Sequence, residues 1–444
     1  MMPRKNFPFS LDQAIMMGVT LVALSLFCHF VGLPLIIPFF VFFFGLHLFF
    51  YKKISTRLFL HLSFLLVILL SLTEILKSYP NLSMFYLPVA AIPMLTMLLF
   101  NDIQLTFMMS FMSVSLAGLL MDFTLSESII LFMGGMAGSY KLKDGRTRSA
   151  VLTSGILVAF VQVGCYLMIV PEINQDIGVY ILKPLFLNGI LCGVIVMFTL
   201  KVFEMLFGEI TNYTLLELSD SSHPLLKRMV VEAPGTYHHS LIVSNLAEAA
   251  ADAIGAQALL VRVGAYYHDI GKLVKPEYFT ENQIVSNKHD HLEPSMSRLV
   301  ILNHVKEGVE LARKYHLNQK IVDFIPQHHG TSLIYYFYQK ALTENDAQEV
   351  EQDDYRYPGP KPQSKETAIV LLADSVEGAT RALEEHSPNK IEDVVRKVIN
   401  NKFIDGQLDE CDLTLREIDV IASTFVRVLS AMYHSRIKYP EQSK

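Results

Sequence analysis

The stretch GAYYHDIGKL, residues 264–273, places a histidine next to an aspartate in an apolar run that reads as a helix ending at a glycine. Adjacent side chains on a helix diverge by roughly 100°, so His268 and Asp269 do not simply pair with each other. They can instead reach two neighbouring points above one helix face. An isolated His-Asp pair is more often a solvated helix end, so its meaning depends on the rest of the chain.

Charge and hydropathy divide the chain into two unlike halves. The 444 residues are 51% hydrophobic and 18% charged, which is too apolar for one soluble domain. Residues 1–208 hold 12 of the 37 Lys and Arg and 9 of the 43 Asp and Glu, whereas residues 209–444 have a net charge near −9. A negative soluble half argues against DNA or RNA as a partner, because backbone binding requires a basic surface.

Eight apolar segments in the first half approach the about 20 residues that cross a bilayer. Three of them are short, so seven or eight spans are predicted, near 13–33, 35–51, 58–76, 84–100, 104–121, 125–140, 149–171 and 178–207. Basic segments face the cytoplasm, and eight spans put PRK, YKKISTR and KLKDGRTR inside together with both termini. No span carries a series of central charges, which argues against an ion or proton transporter.

The second half reads as helical throughout. Strand alternation is scarce, and a capping-box pattern from Thr414 to Glu417 opens a helix near the end of the chain. We therefore predict an all-α protein with a transmembrane helix bundle in 1–208, a connecting helix in 209–222 and an all-helical domain in 223–444.

Seven His and Asp side chains of the second half lie within or beside apolar runs. Burying so many polar groups without partners is costly, and a metal centre supplies a common partner. Mixed imidazole and carboxylate ligands suit manganese, iron or zinc better than calcium or magnesium. The set divides between two ions, with Asp269 bridging because a carboxylate has two oxygens: His239, His268, Asp269 and Asp374 for one ion, and Asp269, His304, His328 and His329 for the other.

Two further residues are candidates for substrate contact. Lys272 follows His268 by four residues and Asp269 by three, so a continuous helix places it on the same face. An ammonium beside a cationic metal pair is unfavourable until an anion arrives, which predicts that Lys272 meets a substrate phosphate; the alternative is a surface lysine near a helix end. Thr331 in the HHGTS stretch is the second candidate.

The order H…HD…H…HH…D resembles the membrane-bound HD-domain phosphohydrolases with seven-transmembrane regions. The resemblance is carried by APGTYHHS (233–240), HDIGK (268–272), HHGTS (328–332), YPGPKPQSKE (357–366) and LADSVE (372–377). Members of that family hydrolyse cyclic di-AMP to linear pApA in bacteria. The resemblance implies that the seven His and Asp residues are metal ligands and that an HD-type domain faces the cytoplasm from the cell membrane. With the ligand set above, two divalent ions per chain are expected, manganese or iron in particular.

The chain departs from the larger family members in one respect. Those members carry an extracellular domain after a first transmembrane helix, for which HFVGLPLI (29–36) leaves no room, so a short form is expected. Relatives that cleave cyclic di-GMP continue the double histidine with a GYP stretch. This chain continues HHGTSLIYYFYQ instead, which favours the adenine substrate.

The predicted function is therefore metal-dependent hydrolysis of one phosphodiester of cyclic di-AMP by in-line attack. Two metals can activate water at neutral pH and stabilise the leaving alkoxide. Asp269 and Lys272 are the predicted catalytic residues, and Lys272 and Thr331 the predicted substrate contacts. The alternatives are an HD-type nucleotidase, a cyclic di-GMP phosphodiesterase and a nucleotide-binding membrane receptor without catalysis. The oligomeric state, a homo-oligomer included, stays open.

Overall fold

The structure, a computed structural model, describes residues 55–143, 145, 147–169, 178–283, 287–344 and 350–433, with isolated residues between 18 and 45. The chain divides into two compact units, Met1–Tyr213 and Thr214–Lys444. In the described residues the regular elements are helices, and β pairing is limited to an isolated antiparallel bridge between Leu333 and Arg356. The all-α prediction is confirmed.

The described part of the first unit contains six α-helices: α1 (Thr56–Lys77), α2 (Ala91–Phe100), α3 (Ile103–Met121), α4 (Leu125–Lys143), α5 (Arg148–Ile169) and α6 (Lys183–Phe207). Among the described residues, four segments are long and apolar enough to cross a membrane, namely Thr56–Lys77, Ile103–Met121, Arg148–Ile169 and Tyr180–Phe207, with mean hydropathy between 1.7 and 2.2. The predicted spans from 58–76 onward fall on helices, apart from a break within 84–100. The predictions at 13–33 and 35–51 lie almost entirely outside the described residues.

The predicted span at 84–100 is not one continuous helix. A 3₁₀ turn at Met84–Tyr86 precedes α2, and between them Leu87 is extended, with φ −65° and ψ 118°. A proline disfavours the helical conformation of the residue before it, and Pro88 follows Leu87 directly. Pro88 therefore accounts for the break in the helix.

The first and last described helices of the bundle meet through a few specific contacts. Arg57 Nη2, at the start of α1, donates to the carbonyl oxygen of Phe207, at the end of α6, over 2.7 Å. The ring of His61 stacks on Phe207 with centroids 4.2 Å apart. A Cβ added to Gly145, in the connection between α4 and α5, would lie 2.6 Å from the Tyr213 hydroxyl. The start of α1, the α4–α5 connection and the end of α6 therefore lie at the same end of this unit.

The described part of the second unit contains eleven α-helices: α7 (Asn212–Leu218, which starts at the unit boundary), α8 (Pro224–Glu232), α9 (Pro234–Ile254), α10 (Ala258–Tyr267), α11 (Pro294–Lys314), α12 (Gln319–Val322), α13 (Phe324–Gln327), α14 (Tyr335–Glu344), α15 (Lys365–Arg381), α16 (Pro388–Ile404) and α17 (Leu415–Met432). Helix α9 packs on α10, α15 and α17. Its Val243, Leu246 and Ala247 are fully buried, as are Phe425 and Leu429 of α17. This core fixes the helices that carry the predicted site residues.

The helix predicted to run as far as Gly271 ends earlier than the sequence suggested. Helix α10 stops at Tyr267, Asp269 adopts φ −109° and ψ 15°, and Ile270–Val274 form a 3₁₀ turn. A Cβ on Gly271 would lie 1.8 Å from the carbonyl oxygen of His304. Only glycine allows such a close approach, so this turn presses against the backbone of α11 and sets Asp269 opposite His304.

Candidate metal centre

The seven predicted ligands come from five parts of the fold and converge on one buried cluster. The structure brings them together in two groups, Asp269, His304, His328 and His329 in one and His239, His268 and Asp374 in the other, and within each group the ligating atoms lie within 4.8 Å of one another. All but His329 and Asp374 are classed as buried. The cluster is assembled by α9, the end of α10, α11, the turn after α13, and α15.

The carboxylate of Asp269 divides between the two groups. Its Oδ1 lies 3.5 Å from His304 Nε2 and 3.5 Å from His328 Nε2. Its Oδ2 lies 3.2 Å from His268 Nε2 and 3.7 Å from His239 Nε2. Asp374 shows a similar division, because Oδ1 lies 3.0 Å from His239 Nε2 and Oδ2 lies 3.8 Å from His329 Nδ1. Each carboxylate therefore presents one oxygen to each side of the cluster.

Hydrogen bonds at the outer nitrogens fix the orientation of the buried imidazoles. His268 Nδ1 lies 2.6 Å from the carbonyl oxygen of Ala265, and His328 Nδ1 lies 2.6 Å from that of Ile325. His304 makes the same contact with Ile301, three residues earlier. When Nδ1 donates to a carbonyl, the proton is held there and Nε2 keeps its lone pair for a metal.

Several of the inward-facing atoms have no hydrogen-bond partner. They are His268 Nε2, His304 Nε2, His328 Nε2 and Asp269 Oδ1. A buried polar atom without a partner is costly, and its presence in a native fold indicates an ion or water that satisfies it. Three lone pairs and a carboxylate oxygen within one buried cluster are a donor set that fits divalent transition metals.

The protonation states of the site differ from residue to residue. Burial opposes the charge of Asp269, yet the Lys272 ammonium and His268 hold the pKa of this carboxyl well below its usual range. Burial lowers the pKa of His304 to about 4, so this imidazole is neutral at pH 7. Burial also opposes protonation of His239, but its hydrogen bonds to Asp374 and Glu377 raise its pKa to about 9. An ion bound at His239 would therefore displace a proton.

Lys272 lies inside the cluster. Its Nζ is 2.7 Å from Asp269 Oδ2 and 2.8 Å from Glu281 Oε1, and it lies 5.0 Å from the centroid of the Phe279 ring. The two carboxylates raise the pKa of Lys272 although burial opposes its charge. The reading of Lys272 as a surface lysine is wrong. Asp269 and Lys272 still meet after the end of α10 because side chains three residues apart eclipse in a 3₁₀ turn.

Three residues that sequence reasoning missed complete the surroundings of the cluster. Glu377 Oε2 lies 2.7 Å from His239 Nδ1 and orients that ring, and Arg381 contacts both Glu377 and His239. Tyr357 stacks on His329, with ring centroids 4.1 Å apart. The sequence offered weak signals for them: Glu377 and Arg381 follow Asp374 at helical spacing, and Tyr357 opens the YPGPKP stretch.

An open cleft of about 360 Å³ adjoins the cluster. It is lined by His239, Lys272, Thr280, Glu281, Asp374, Gly378, Arg381 and Ala382. Its walls carry the positive charges of Lys272 and Arg381 and the negative charges of Glu281 and Asp374, next to the candidate metal ligands.

Thr331 lies beside the cluster but not in the lining of this cleft. Its backbone nitrogen donates to Gln407 Oε1 over 2.8 Å, and its hydroxyl accepts from Gln407 Nε2 over 3.0 Å. Its carbonyl oxygen accepts from Arg356 Nη1 over 2.9 Å. The predicted substrate contact of Thr331 stays a prediction.

Comparison with known proteins gives matches along most of the chain. Residues 19–211 match the family described as 7TM receptor with intracellular HD hydrolase, and residues 236–379 match the HD domain. The chain is 39% identical over 408 residues to the cyclic-di-AMP phosphodiesterase PgpH of Bacillus subtilis and 41% identical over 402 residues to that of Listeria monocytogenes. These alignments cover 89% and 88% of this chain, and 57% and 55% of the relatives.

A solved structure is also similar. The crystal structure of the L. monocytogenes phosphodiesterase PgpH HD domain in complex with cyclic-di-AMP is 52% identical, covers 49% of this chain and 100% of its own, and has a TM-score of 0.47. The chain spans little more than half the length of the curated relatives it matches. It is a multi-pass membrane protein, and it belongs to the family in which a seven-transmembrane region is joined to an intracellular HD hydrolase domain.

Proposed function

We propose that this protein is a membrane-bound, metal-dependent phosphodiesterase that hydrolyses cyclic di-AMP to linear pApA and so lowers the level of this second messenger. The observation that carries the proposal is the division of Asp269 between two groups of imidazoles, in which the inward nitrogens of His268, His304 and His328 have no hydrogen-bond partner. The two relatives named as cyclic-di-AMP phosphodiesterases support the choice of substrate.

The proposed ligands form two sets that share Asp269. One is Asp269, His304, His328 and His329, and the other is His239, His268 and Asp374 together with the second oxygen of Asp269. Divalent ions bound there, manganese or iron by preference, would supply Lewis acidity and lower the pKa of water at the site. The carbonyl-bound histidines hold the geometry, and Asp269 keeps its charge because its pKa is low.

The cations of the cleft are proposed to bind the substrate. Cyclic di-AMP has two phosphates, and Lys272 and Arg381 line the same cleft. Hydrolysis adds one water across one phosphodiester, breaks the bond between phosphorus and the 3′ oxygen, and leaves one terminal 5′-phosphate. The absence of a GYP stretch after His329 supports cyclic di-AMP over cyclic di-GMP.

The test uses the purified full chain in detergent, loaded with manganese, and a panel of cyclic di-AMP, cyclic di-GMP, cyclic AMP-GMP and mononucleotides. We expect pApA from cyclic di-AMP and slower turnover of cyclic di-GMP. Equal or faster turnover of cyclic di-GMP would remove the adenine preference. Hydrolysis of mononucleotides alone would favour the nucleotidase, and tight binding of a dinucleotide without any product would favour the non-catalytic receptor.

The membrane topology and the domain boundaries form a further proposal. We infer that 1–208 is the bundle, 209–222 the connection and 223–444 the HD-type domain, with both termini in the cytoplasm. Two observations support the sidedness. The basic sequence 51–57 runs into the start of α1, and the basic sequence 141–148 includes the α4–α5 connection. The start of α1 and the α4–α5 connection lie at the same end of the bundle as the end of α6.

Reporter fusions after residues 5, 145 and 444 should all give a cytoplasmic signal if eight spans are present. An external reporter at residue 5 with the other two inside would instead select seven spans. An external signal at residue 145 would contradict the sidedness of the bundle.

Glu377→Gln should weaken metal binding at the group that contains His239. The carboxylate that accepts from His239 Nδ1 orients the ring, and loss of such a partner typically costs about 10- to 100-fold in metal affinity or activity. Metal titration of the wild-type and Glu377→Gln proteins would measure the change. His304 has its own carbonyl partner, so the second group should keep its affinity; equal weakening of both groups would contradict the assignment.

A further inference from the structure

Gly378 lies in α15, one helical turn after Asp374, and it is exposed in the wall of the cleft. A Cβ added at this position would have no heavy atom within 4 Å. Arg381 and Ala382 follow on the same side of the helix and line the same cleft. The missing side chain therefore leaves open space directly beside the candidate metal ligands.

The other glycines of the second unit have structural reasons to be glycine. The unit contains nine, all in the described residues. Gly255, Gly330, Gly359 and Gly406 have positive φ. Four more would place a Cβ within 3.0 Å of a neighbouring atom, namely Gly235, Gly264, Gly271 and Gly308. Gly378 has neither reason.

A glycine inside a helix also disfavours the helix, and Gly378 lies within α15, in its last turn. It has greater freedom in the unfolded chain than alanine, and it is among the poorest helix formers. At position 378 this cost is not offset by packing or by a turn. The physical effect of glycine that remains at this position is to keep the volume beside the helix open.

We propose that Gly378 is a specificity-determining residue that admits the nucleoside attached to the scissile phosphate. The inference rests on the proposed function, because it assigns the substrate's phosphate to the cluster around Asp374. A rise of about 1.5 Å per residue puts position 378 roughly 6 Å along the helix from Asp374, which is the distance from a phosphate to the sugar and base that it carries. Side chains larger than hydrogen would occupy the volume of that nucleoside.

The first test compares the wild-type full chain with Gly378→Ala, Gly378→Leu and the control Ala253→Leu. Ala253 is an exposed residue of α9, about 21 Å along that helix from His239. Gly378→Ala should raise the Tm of the ligand-free protein by on the order of 2 °C, because alanine favours the helix. Its KM for cyclic di-AMP should rise, and that of Gly378→Leu should rise at least 10-fold, with a smaller change in kcat. Ala253→Leu should keep the wild-type KM.

A lower Tm for Gly378→Ala would reveal a structural need for glycine and overturn the inference. A wild-type KM for Gly378→Leu would overturn it as well, while leaving the phosphodiesterase proposal intact.

A binding measurement keeps the inference testable if wild-type protein hydrolyses no cyclic dinucleotide. Calorimetric titration of the manganese-loaded full chain with AMP and with inorganic phosphate separates the nucleoside from the phosphate. We expect AMP to bind more tightly than phosphate to the wild type, and Gly378→Leu to lose this difference. Equal binding of AMP and phosphate to the wild type, or an unchanged preference for AMP in Gly378→Leu, would overturn the role of Gly378.

Discussion

Replacing Asp269 by alanine should lower the metal content from about two ions per chain to less than one. Asp269 presents Oδ1 to His304 and His328 and Oδ2 to His268 and His239, so its loss removes a ligand from both groups at once. Cyclic di-AMP hydrolysis should fall by at least about 1000-fold, because each metal contributes several kcal/mol of transition-state stabilisation. Elemental analysis of the purified full chain and single-turnover assays would measure both effects.

His304→Ala is the matched control for this experiment. His304 faces only one oxygen of Asp269, so its loss should mainly empty the second group and leave about one ion bound. Circular dichroism and Asp269→Asn, which preserves the shape of the side chain, would separate lost ligation from lost folding. Active wild-type protein with a single ion, or two ions retained in Asp269→Ala, would contradict the bridging role.

Lys272→Ala should retain both ions yet lower kcat/KM for cyclic di-AMP by on the order of 100-fold. The ammonium lies beside the proposed ligands and in the wall of the cleft, where a phosphate would replace part of its contact with Asp269. A charge-assisted hydrogen bond in a partly dry site is worth about 2 to 3 kcal/mol, which gives that factor. Lys272→Arg should recover only part of the rate, since a planar guanidinium does not replace a compact ammonium.

Glu281 provides the control that separates substrate binding from charge balance. Removal of Lys272 leaves the carboxylates of Glu281 and Asp269 without their shared cation. If repulsion between them causes the loss, the double variant Lys272→Met with Glu281→Gln should regain activity. We expect the double variant to stay as slow as Lys272→Ala; full recovery would assign Lys272 to charge balance alone.

The sequence was sufficient to predict which His and Asp residues meet, because each stands in or beside an apolar run and so has to be buried. The capping box from Thr414 to Glu417 is present at the start of α17, since such a motif depends on local spacing alone. The same local logic predicted the helices of the bundle from 58–76 onward, apart from the break at Pro88.

Contacts between distant residues were beyond this reasoning. Glu377 orients His239 across 138 positions of sequence, and neither residue's local pattern indicates the other. Lys272 was assigned to a continuous α-helix, whereas the approach of Gly271 to the backbone of His304 ends the helix and turns the chain. Hydrophobic periodicity carries no information about such an approach, because the approach depends on how two segments of the chain pack together.

The carbonyl contacts of His268, His304 and His328 have a consequence for metal supply. Each ring is held by an oxygen three residues earlier in its own chain segment, so the orientation is established by local folding before any ion arrives. First-row divalent metals differ in affinity for a given donor set in a common order, so the metals available in the compartment also decide which ion such a site takes. We therefore expect the occupant of the centre to follow the concentrations of free metals in the compartment, so that enzyme activity would change with the cell's metal status.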